Sequence, residues 1–196
     1  MESTKDMTSD SKDIPILSTE NLEEAKEFID KQKSEDAKWR IAGTHSGVFH
    51  CDEVLGCALL KYTTEYSNPA IVRSRNPEIH KLVDILLDVG DVFDPESKRF
   101  DHHQGSFDQI FSDTSTENSK EKQNGEDHVI IKMSSAGLIY KYFGKEIIKN
   151  LASKWGSDLG STEEEISETI IKIHAELYDD FIKEIDAIDN GVTAYK

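Results

Sequence analysis

The sequence predicts a single α/β domain with a parallel sheet and flanking helices. Short apolar segments alternate with amphipathic helical segments through the first half of the chain, which is the pattern of βαβ units. The second half of the chain is predicted to be helical, because its apolar residues recur at helical spacing. Two polar segments, residues 1–38 and 112–127, interrupt this pattern, and the remainder of the 196-residue chain is long enough to bury one core.

Short apolar runs predict four strands. Residues 70–75 (AIVRSR) are β-branched, and residues 84–89 (DILLDV) form the nearly continuous apolar run of a buried parallel strand. Residues 39–44 and 98–101 are short strand candidates on either side of them. Because helical segments separate most of these strands, we expect them to pair in parallel.

Three helices are predicted in the first half of the chain. Residues 21–33, with Thr19 or Asn21 as the N-cap, and residues 52–62 have apolar positions at helical spacing. Residues 77–83 begin with a proline, which suits the first position of a helix.

The second half predicts two longer helices. Residues 134–143 begin with a serine cap, and Gly144 is expected to end that helix. Residues 162–188 carry a continuous amphipathic pattern, so we expect one long helix there.

The two polar segments define the predicted domain boundaries. Residues 1–38 are expected to be an acidic N-terminal tail that contains the possible helix 21–33, and residues 39–192 to be the folded domain. Residues 112–127 contain no aliphatic or aromatic side chain, so we expect a disordered insertion loop without chemistry.

Composition excludes several classes of protein. The formal net charge of −16 is opposite in sign to the basic face of a general nucleic-acid binder, so an anionic substrate would be attracted only locally. Cys51 and Cys57 cannot form a disulfide framework, which indicates a reducing, intracellular compartment. The longest uncharged aliphatic run, residues 54–60, is too short to cross a bilayer, and no targeting segment is visible.

Histidine and aspartate residues cluster where the predicted strands and the last helix end. In open α/β sheets, ligands bind at the carboxyl ends of the strands. Imidazole and carboxylate donors suit a divalent cation such as manganese, magnesium or zinc. So many carboxylates favour two cations over one, because packed carboxylates repel unless they are protonated or bridged. The residues are His45, His50, Asp52, Asp88, Asp101, His102, His103, Asp186 and Asp189.

Two of these aspartates differ in how well a structural role would explain them. Asp52 could be only the N-cap of the helix that follows it. Asp88 lies in a buried apolar run, where a charge without a partner is costly. The sequence therefore points more firmly to a functional role for Asp88.

Two further pairs are candidates for contact with a substrate phosphate. Ser134 and Ser135 are most simply a helix cap, although the nearby Gly137 would let an anion approach the helix N-terminus. Arg73 and Arg75 lie two apart on a strand and share one face, so they form either a solvated edge or a fork for phosphate.

Five sequence blocks, in order along the chain, carry a family resemblance: THSGVFHCDEVLGCALL, VRSRNPEIHKL, LLDVGDVFDPESKRFDHHQGSF, MSSAGLIYKYFG and FIKEIDAIDNGV. From about Ile41 to Val192, they resemble the eukaryotic exonuclease family named for a melanocyte-proliferating gene. That family belongs to the DHH phosphoesterase superfamily, with RecJ-type exonucleases, oligoribonucleases and family II inorganic pyrophosphatases. The resemblance implies a parallel-sheet DHH-type domain, two divalent metals (usually manganese or magnesium), and 3′-to-5′ exonuclease action on RNA in the nucleus and mitochondria.

The resemblance also implies roles for individual residues. Asp88 and the triplet 101–103 would carry catalysis, with Asp101 orienting its neighbours and His103 contacting phosphate. Asp189 matches the last motif better than Asp186 does. The implied metal ligands are His45, His50, Asp52, Asp88 as the bridging carboxylate, His102, and Asp189 or Asp186.

The chain departs from the family pattern in two places. His50 stands where the superfamily commonly has one of a pair of aspartates. Family members also continue beyond the IDNG block into a second, substrate-binding domain, whereas this sequence stops at Lys196. We therefore expect that domain to be absent and the present chain to be a weak nuclease.

Three functions are compatible with these features. The leading hypothesis is a metal-dependent phosphodiester hydrolase acting on single-stranded RNA or a short oligonucleotide. The second is a hydrolase of small phosphates, such as pyrophosphate or a nucleoside bisphosphate. The third is a non-catalytic, metal-stabilised interaction module, although a structural metal site needs only four ligands.

Overall fold

Short strands of the first half pair into a mostly parallel six-stranded sheet, which confirms the predicted α/β fold. The computed structural model describes residues 13–35, 39–112 and 130–192. The strands are β1 (Ile16–Ser18), β2 (Arg40–Thr44), β3 (Pro69–Arg73), β4 (Ile85–Leu87), β5 (Phe93–Asp94) and β6 (Arg99–Phe100). The α-helices are α1 (Leu22–Glu35), α2 (Cys51–Leu60), α3 (Pro77–His80), α4 (Ser135–Trp155), α5 (Glu163–Leu177) and α6 (Lys183–Asp189).

The strand order places the carboxyl ends of three parallel strands side by side. The order is β1-β3-β2-β4-β6-β5, and every neighbouring pair is parallel except β5 with β6. Because β2, β4 and β6 are adjacent and parallel, the segments that follow them leave the sheet at one edge.

Helices cover both faces of the sheet because successive strand residues point to opposite sides. Ala42 and Leu87 face the layer of α2 and α4, where they pack in the larger core cluster. Ile41 and Leu86 face the layer of α1 and α3, where they pack in a second cluster.

The N-terminal segment is part of the domain, which corrects the predicted boundary at residue 38. Ile16–Ser18 pairs in parallel with β3, and Ala25 and Ile29 of α1 are buried against the sheet. A three-residue strand is too short for its pattern to be visible in the sequence. The predicted insertion 112–127 lies, apart from Ser112, outside the described residues.

Gly144 does not end a helix, contrary to the prediction. Helix α4 continues through it to Trp155 and ends at Gly156, which has a left-handed φ of 66°. Gly144 is needed for packing, since a Cβ at this position would lie 2.7 Å from the Nε2 atom of His174. His174 is buried and its ring stacks on Tyr140, with 4.7 Å between the centroids.

The last helix contains a π-helical segment, Tyr178–Ile182, between α5 and α6. The predicted single helix 162–188 is therefore continuous but has one widened turn. Tyr178 is buried there, and its ring stacks on Phe111 with 3.7 Å between the centroids. Within the described ranges, no helix combines the length and apolar character needed to span a membrane.

We predict that Gly144→Ala destabilises the fold. Alanine in the middle of an exposed helix normally stabilises it by about 0.5–1 kcal/mol relative to glycine. Here the new methyl group must displace the His174 ring, and overpacking of this kind costs about 1–3 kcal/mol. Urea unfolding measures the change. In a His174→Ala background, which makes room for the methyl group, the same substitution should cost less; an equal cost in both backgrounds would contradict the proposed clash.

Candidate metal centre

The candidate site lies at the carboxyl ends of the three adjacent parallel strands. His45 follows β2, Asp88 follows β4, and residues 101–103 follow β6. Residues from the start of α2 and the end of α6 complete the site. The fold thus brings together residues that are separated by more than 140 positions in the sequence.

Three groups of potential metal-ligating atoms lie at this edge, and the atoms of each group are within 4.8 Å of one another. Asp88 and His102 each belong to two of the groups, so the three groups are continuous. They are His45, His50, Glu53 and Asp88; then Asp88, His102 and His103; and finally Asp52, His102 and Asp189.

Asp88 lies at the centre of the site. Its Oδ2 atom is 3.4 Å from Nε2 of His45, and its Oδ1 atom is 3.5 Å from Nε2 of His102. The residue is buried and has a left-handed φ of 56°, a conformation that is uncommon outside glycine. Strained backbone of this kind often occurs at functional sites, where the surroundings hold it in place.

The donor set fits a divalent cation. Three buried atoms of the donor groups make no hydrogen bond to any described residue: Nε2 of His45, Oδ1 of Asp88 and Nε2 of His102. Buried polar atoms are normally satisfied, so these three indicate a missing partner. Imidazole nitrogens and carboxylate oxygens that converge without a hydrogen bond are the donors that manganese, magnesium and zinc bind.

Burial and neighbouring carboxylates perturb the protonation of the site. Burial raises the pKa of Asp52 to about 7, and the negative charges of Asp88 and Asp189 raise it further in the same direction. Burial lowers the pKa of His102, but its contacts with Asp189 and Asp88 outweigh this and raise it to about 10. In the absence of a cation, the site therefore retains protons that a cation would have to displace.

Asp52 binds the N-terminus of α4 and does not cap its own helix. Its Oδ1 accepts a hydrogen bond from the backbone N–H of Ala136 at 2.6 Å, and its Oδ2 accepts one from Ser135 at 3.0 Å. The N-cap of α2 is His50. Ser134 and Ser135 are fully buried, so the anion at this helix N-terminus is a carboxylate of the protein and not a substrate phosphate.

Asp186 is linked to Asp52 through the hydroxyl of Ser134 and belongs to none of the three donor groups. Its Oδ1 accepts a hydrogen bond from the N–H of Ser134 at 2.9 Å, and its Oδ2 accepts one from the hydroxyl of Tyr178 at 2.8 Å. A Cβ at Gly137 would lie 2.3 Å from Oδ1, so only glycine permits this approach. In contrast, Oδ2 of Asp189 lies 3.0 Å from Nε2 of His102.

Asp101 accepts hydrogen bonds from both histidines that follow it. Its Oδ1 accepts hydrogen bonds from the N–H of His102 at 2.8 Å and from Nδ1 of His103 at 2.7 Å. Its Oδ2 accepts a hydrogen bond from the backbone N–H of Asp91 at 2.6 Å. The His103 ring is more than half exposed, so its Nε2 atom is the one left for a ligand in the cavity.

Sequence reasoning missed Glu53, a buried member of the first donor group. Its Oε1 is 3.4 Å from Nε2 of His45, and both carboxylate oxygens accept the N–H of His50 at 2.8 Å. The spacing of an N-cap residue and a glutamate three positions later could have drawn attention to it, but this capping box is common in ordinary helices.

The two arginines do not form a phosphate fork. Arg73 is buried; its guanidinium donates a hydrogen bond to the carbonyl of Gly47 at 3.1 Å and lies 3.8 Å from Glu53. Arg75 is exposed and lines a cavity of about 500 Å³ together with His45, His50, Asp88 and His103. Only the second arginine is therefore placed to meet a ligand in that cavity.

The sequence is similar to one family of proteins that occurs in distantly related organisms. Residues 41–196 match the MYG1 exonuclease family model, described as "Uncharacterised protein family (UPF0160)". "MYG1 exonuclease" of Mus musculus is 40% identical over 153 residues, which cover 78% of this chain and 36% of the relative. The protein of the same name from Homo sapiens is 41% identical over 153 residues, with the same coverage of 78% and 36%. No solved structure matches the chain.

The similarity extends to a nematode protein. "MYG1 protein C27H6.8" of Caenorhabditis elegans is 38% identical over 156 residues, 79% of this chain and 40% of the relative. The chain thus spans less than half the length of these relatives. Because the family model covers most of the chain and the identities lie near 40%, the chain belongs to the MYG1 family.

Proposed function

We propose that the chain is a metal-dependent phosphodiester hydrolase of the DHH phosphoesterase type. Its proposed reaction is 3′-to-5′ exonucleolytic hydrolysis of single-stranded RNA or short oligonucleotides with two divalent cations, manganese before magnesium or zinc. The observation that carries the proposal is the placement of the two Asp88 oxygens, 3.4 and 3.5 Å from two different imidazoles. The name "MYG1 exonuclease" given to the mouse and human relatives supports the class of reaction.

The donor groups divide into two sets around Asp88. His45, His50 and Glu53 lie on the Oδ2 side, and Asp52, His102 and Asp189 lie with the Oδ1 side. A pair of divalent cations bound by these sets would lower the pKa of a water molecule and neutralise the phosphate under attack.

Residues around the metal ligands have supporting roles in this proposal. Asp101 accepts the Nδ1–H of His103, which fixes the ring, and the doubly protonated ring would donate its Nε2–H to a non-bridging phosphate oxygen. Arg75, on the wall of the same cavity, offers its guanidinium to the substrate phosphate. Buried Asp186 and Ser134 hold Asp52 in place and do not contact the substrate.

We predict that this chain with manganese shortens a 5′-labelled single-stranded RNA stepwise from its 3′ end. An Asp101→Ala/His102→Ala variant, with its fold checked by circular dichroism, should be inactive because it loses both a ligand and the residue that orients the triplet. Pyrophosphate is assayed in parallel. Consumption of pyrophosphate with intact RNA would favour the small-phosphate hydrolase. Inactivity on both, with a melting temperature lowered by chelation, would favour the non-catalytic module.

We predict that Asp88→Asn lowers the rate at least about 100-fold, because the loss of a bridging carboxylate removes several kcal/mol of charge stabilisation. Asp30→Asn, on the exposed side of α1, is the matched control and should leave the rate unchanged. Steady-state rates with manganese measure both variants. A near-normal rate for Asp88→Asn would show that this carboxylate does not bridge the metals.

We predict that manganese binds more tightly at pH 8 than at pH 6. The folded-state pKa of Asp52 is raised to about 7, so below that pH a cation must displace its proton. His102, whose pKa is raised to about 10, loses a second proton on metal binding, so the apparent dissociation constant should rise as pH falls by up to about tenfold per pH unit for each displaced proton. Without metal, the raised pKa makes the contribution of Asp52 to stability fall as pH rises from about 4 to 7. Titration of the melting temperature with manganese at both pH values tests this; equal affinities would contradict it.

A further inference from the structure

The loop between His45 and His50 exposes two large apolar side chains. Val48 is 78% exposed and Phe49 is 57% exposed. Burying a phenylalanine side chain is worth about 1.5–3 kcal/mol, so the fold gives up this gain at a position next to a candidate metal ligand. Other large apolar side chains are equally exposed, so it is the position of Phe49 beside a candidate metal ligand that points to a ligand.

One face of the Phe49 ring packs on the side chain of Arg73. The guanidinium carbon of Arg73 lies 3.7 Å from the ring centroid, which is a cation–π contact, and Arg73 itself is 5% exposed. The same guanidinium binds the carbonyl of Gly47 at 3.1 Å. One face of the ring is thus occupied by a fixed cation, and the exposed surface belongs to the remainder of the ring.

The loop that carries Phe49 is attached at both ends. The hydroxyl of Ser46 donates a hydrogen bond to Glu20 at 2.7 Å, and the N–H of His50 donates to Glu53 at 2.8 Å. A ring on such a loop loses little conformational freedom when a ligand binds, so contact with it contributes more to affinity.

The ring is within reach of a nucleotide bound at the metal centre. Arg73 links the two, since its guanidinium lies under the ring and 3.8 Å from Oε1 of Glu53. These contacts and the length of a C–N bond limit the distance between the ring centroid and Oε1 of Glu53 to about 9 Å. A phosphate held at the donor groups would place the base of its own nucleotide in this range.

The charge of the protein favours recognition by stacking. At a net charge of −16, the chain as a whole repels a polyanion, so general electrostatic affinity for nucleic acid is unfavourable. Stacking of a base on an aromatic ring needs no charge and contributes about 1–3 kcal/mol per base.

We propose that Phe49 is a stacking platform for the nucleobase adjacent to the scissile phosphate. This inference rests on the proposed function, because it assumes that the metal centre holds a nucleotide phosphate. It adds that the substrate is recognised through its base, with Arg73 as the residue that positions the ring.

The test compares Phe49→Ala, Phe49→Leu and Phe49→Trp on two RNAs, one of ordinary sequence and one with an abasic nucleotide at the 3′ end. Phe49→Leu keeps an apolar side chain but removes the flat ring. Phe181→Ala removes a similarly exposed phenylalanine from the π-helical segment and is the matched control. The readouts are KM and kcat with manganese, and binding of a hydrolysis-resistant phosphorothioate RNA by fluorescence anisotropy.

We expect the Ala and Leu variants to raise KM and Kd for ordinary RNA by about 5-fold to 150-fold, with kcat within twofold. Trp should preserve both constants, Phe181→Ala should match the wild type, and the abasic RNA should not distinguish the variants. Equal losses on both RNAs, or a Leu variant that behaves as wild type, would overturn the stacking role. If the wild-type chain hydrolyses no RNA, the proposed function is wrong, whatever the role of Phe49. In that case the binding measurement tests the platform alone: a Kd for the phosphorothioate RNA that is the same in the Phe49 variants as in the wild type would overturn it.

Discussion

Repulsion between buried carboxylates is the constraint on which this site depends. Asp52, Glu53, Asp88 and Asp101 are each buried near one edge of the sheet, where an uncompensated charge is costly. Asp101 is compensated by N–H donors and His103, and Asp52 by the N-terminus of α4. Asp88 lies within 3.6 Å of three imidazoles, those of His45, His102 and His103, but its Oδ1 makes no hydrogen bond to a described residue. The negative charge of Asp88 is therefore only partly compensated at Oδ1, where the donor groups meet, and a cation is the partner that fits this position.

The N-terminus of α4 joins the two halves of the domain. Oγ of Ser134 lies 2.5 Å from Asp52 and 2.7 Å from Asp186, so one hydroxyl links the loop after β2 to the last helix. Since a hydroxyl has one proton, it can donate to only one of these carboxylates at a time. Burial raises the pKa of Asp186 to about 6, although its hydrogen bonds lower it. Gly137 lets Asp186 approach, and the π-helical turn carries the Tyr178 hydroxyl that binds its other oxygen. The last helix thus supports Asp52, a residue of the candidate metal centre.

Much of the fold and part of the site were predictable because they depend on local pattern. Apolar runs that end in Asp or His predicted the strands. Parallel pairing brings the carboxyl ends of these strands together regardless of the conformation of the loops between them. Glu53 was not predictable, since its capping-box position explains it without any metal. Nor was the role of Gly144, because a glycine kept for the ring of His174 looks the same in sequence as one that ends a helix. The partner of Asp52 lies more than 80 residues away, at a distance where sequence periodicity carries no information.

The charges of the site suggest an order of binding. The donor groups contain four carboxylates, Asp52, Glu53, Asp88 and Asp189, whose combined negative charge, when all are ionised, balances the positive charge of two divalent cations. A single cation would leave the site negative and repel a phosphate. Neutralisation by two would leave His103 and Arg75 as the local groups that attract one. Acidic residues on distant surfaces matter less, because salt screens charges beyond about 8–10 Å. In the proposed mechanism, phosphate binding therefore follows metal loading, and affinity beyond the scissile phosphate has to come from uncharged contacts such as the Phe49 ring.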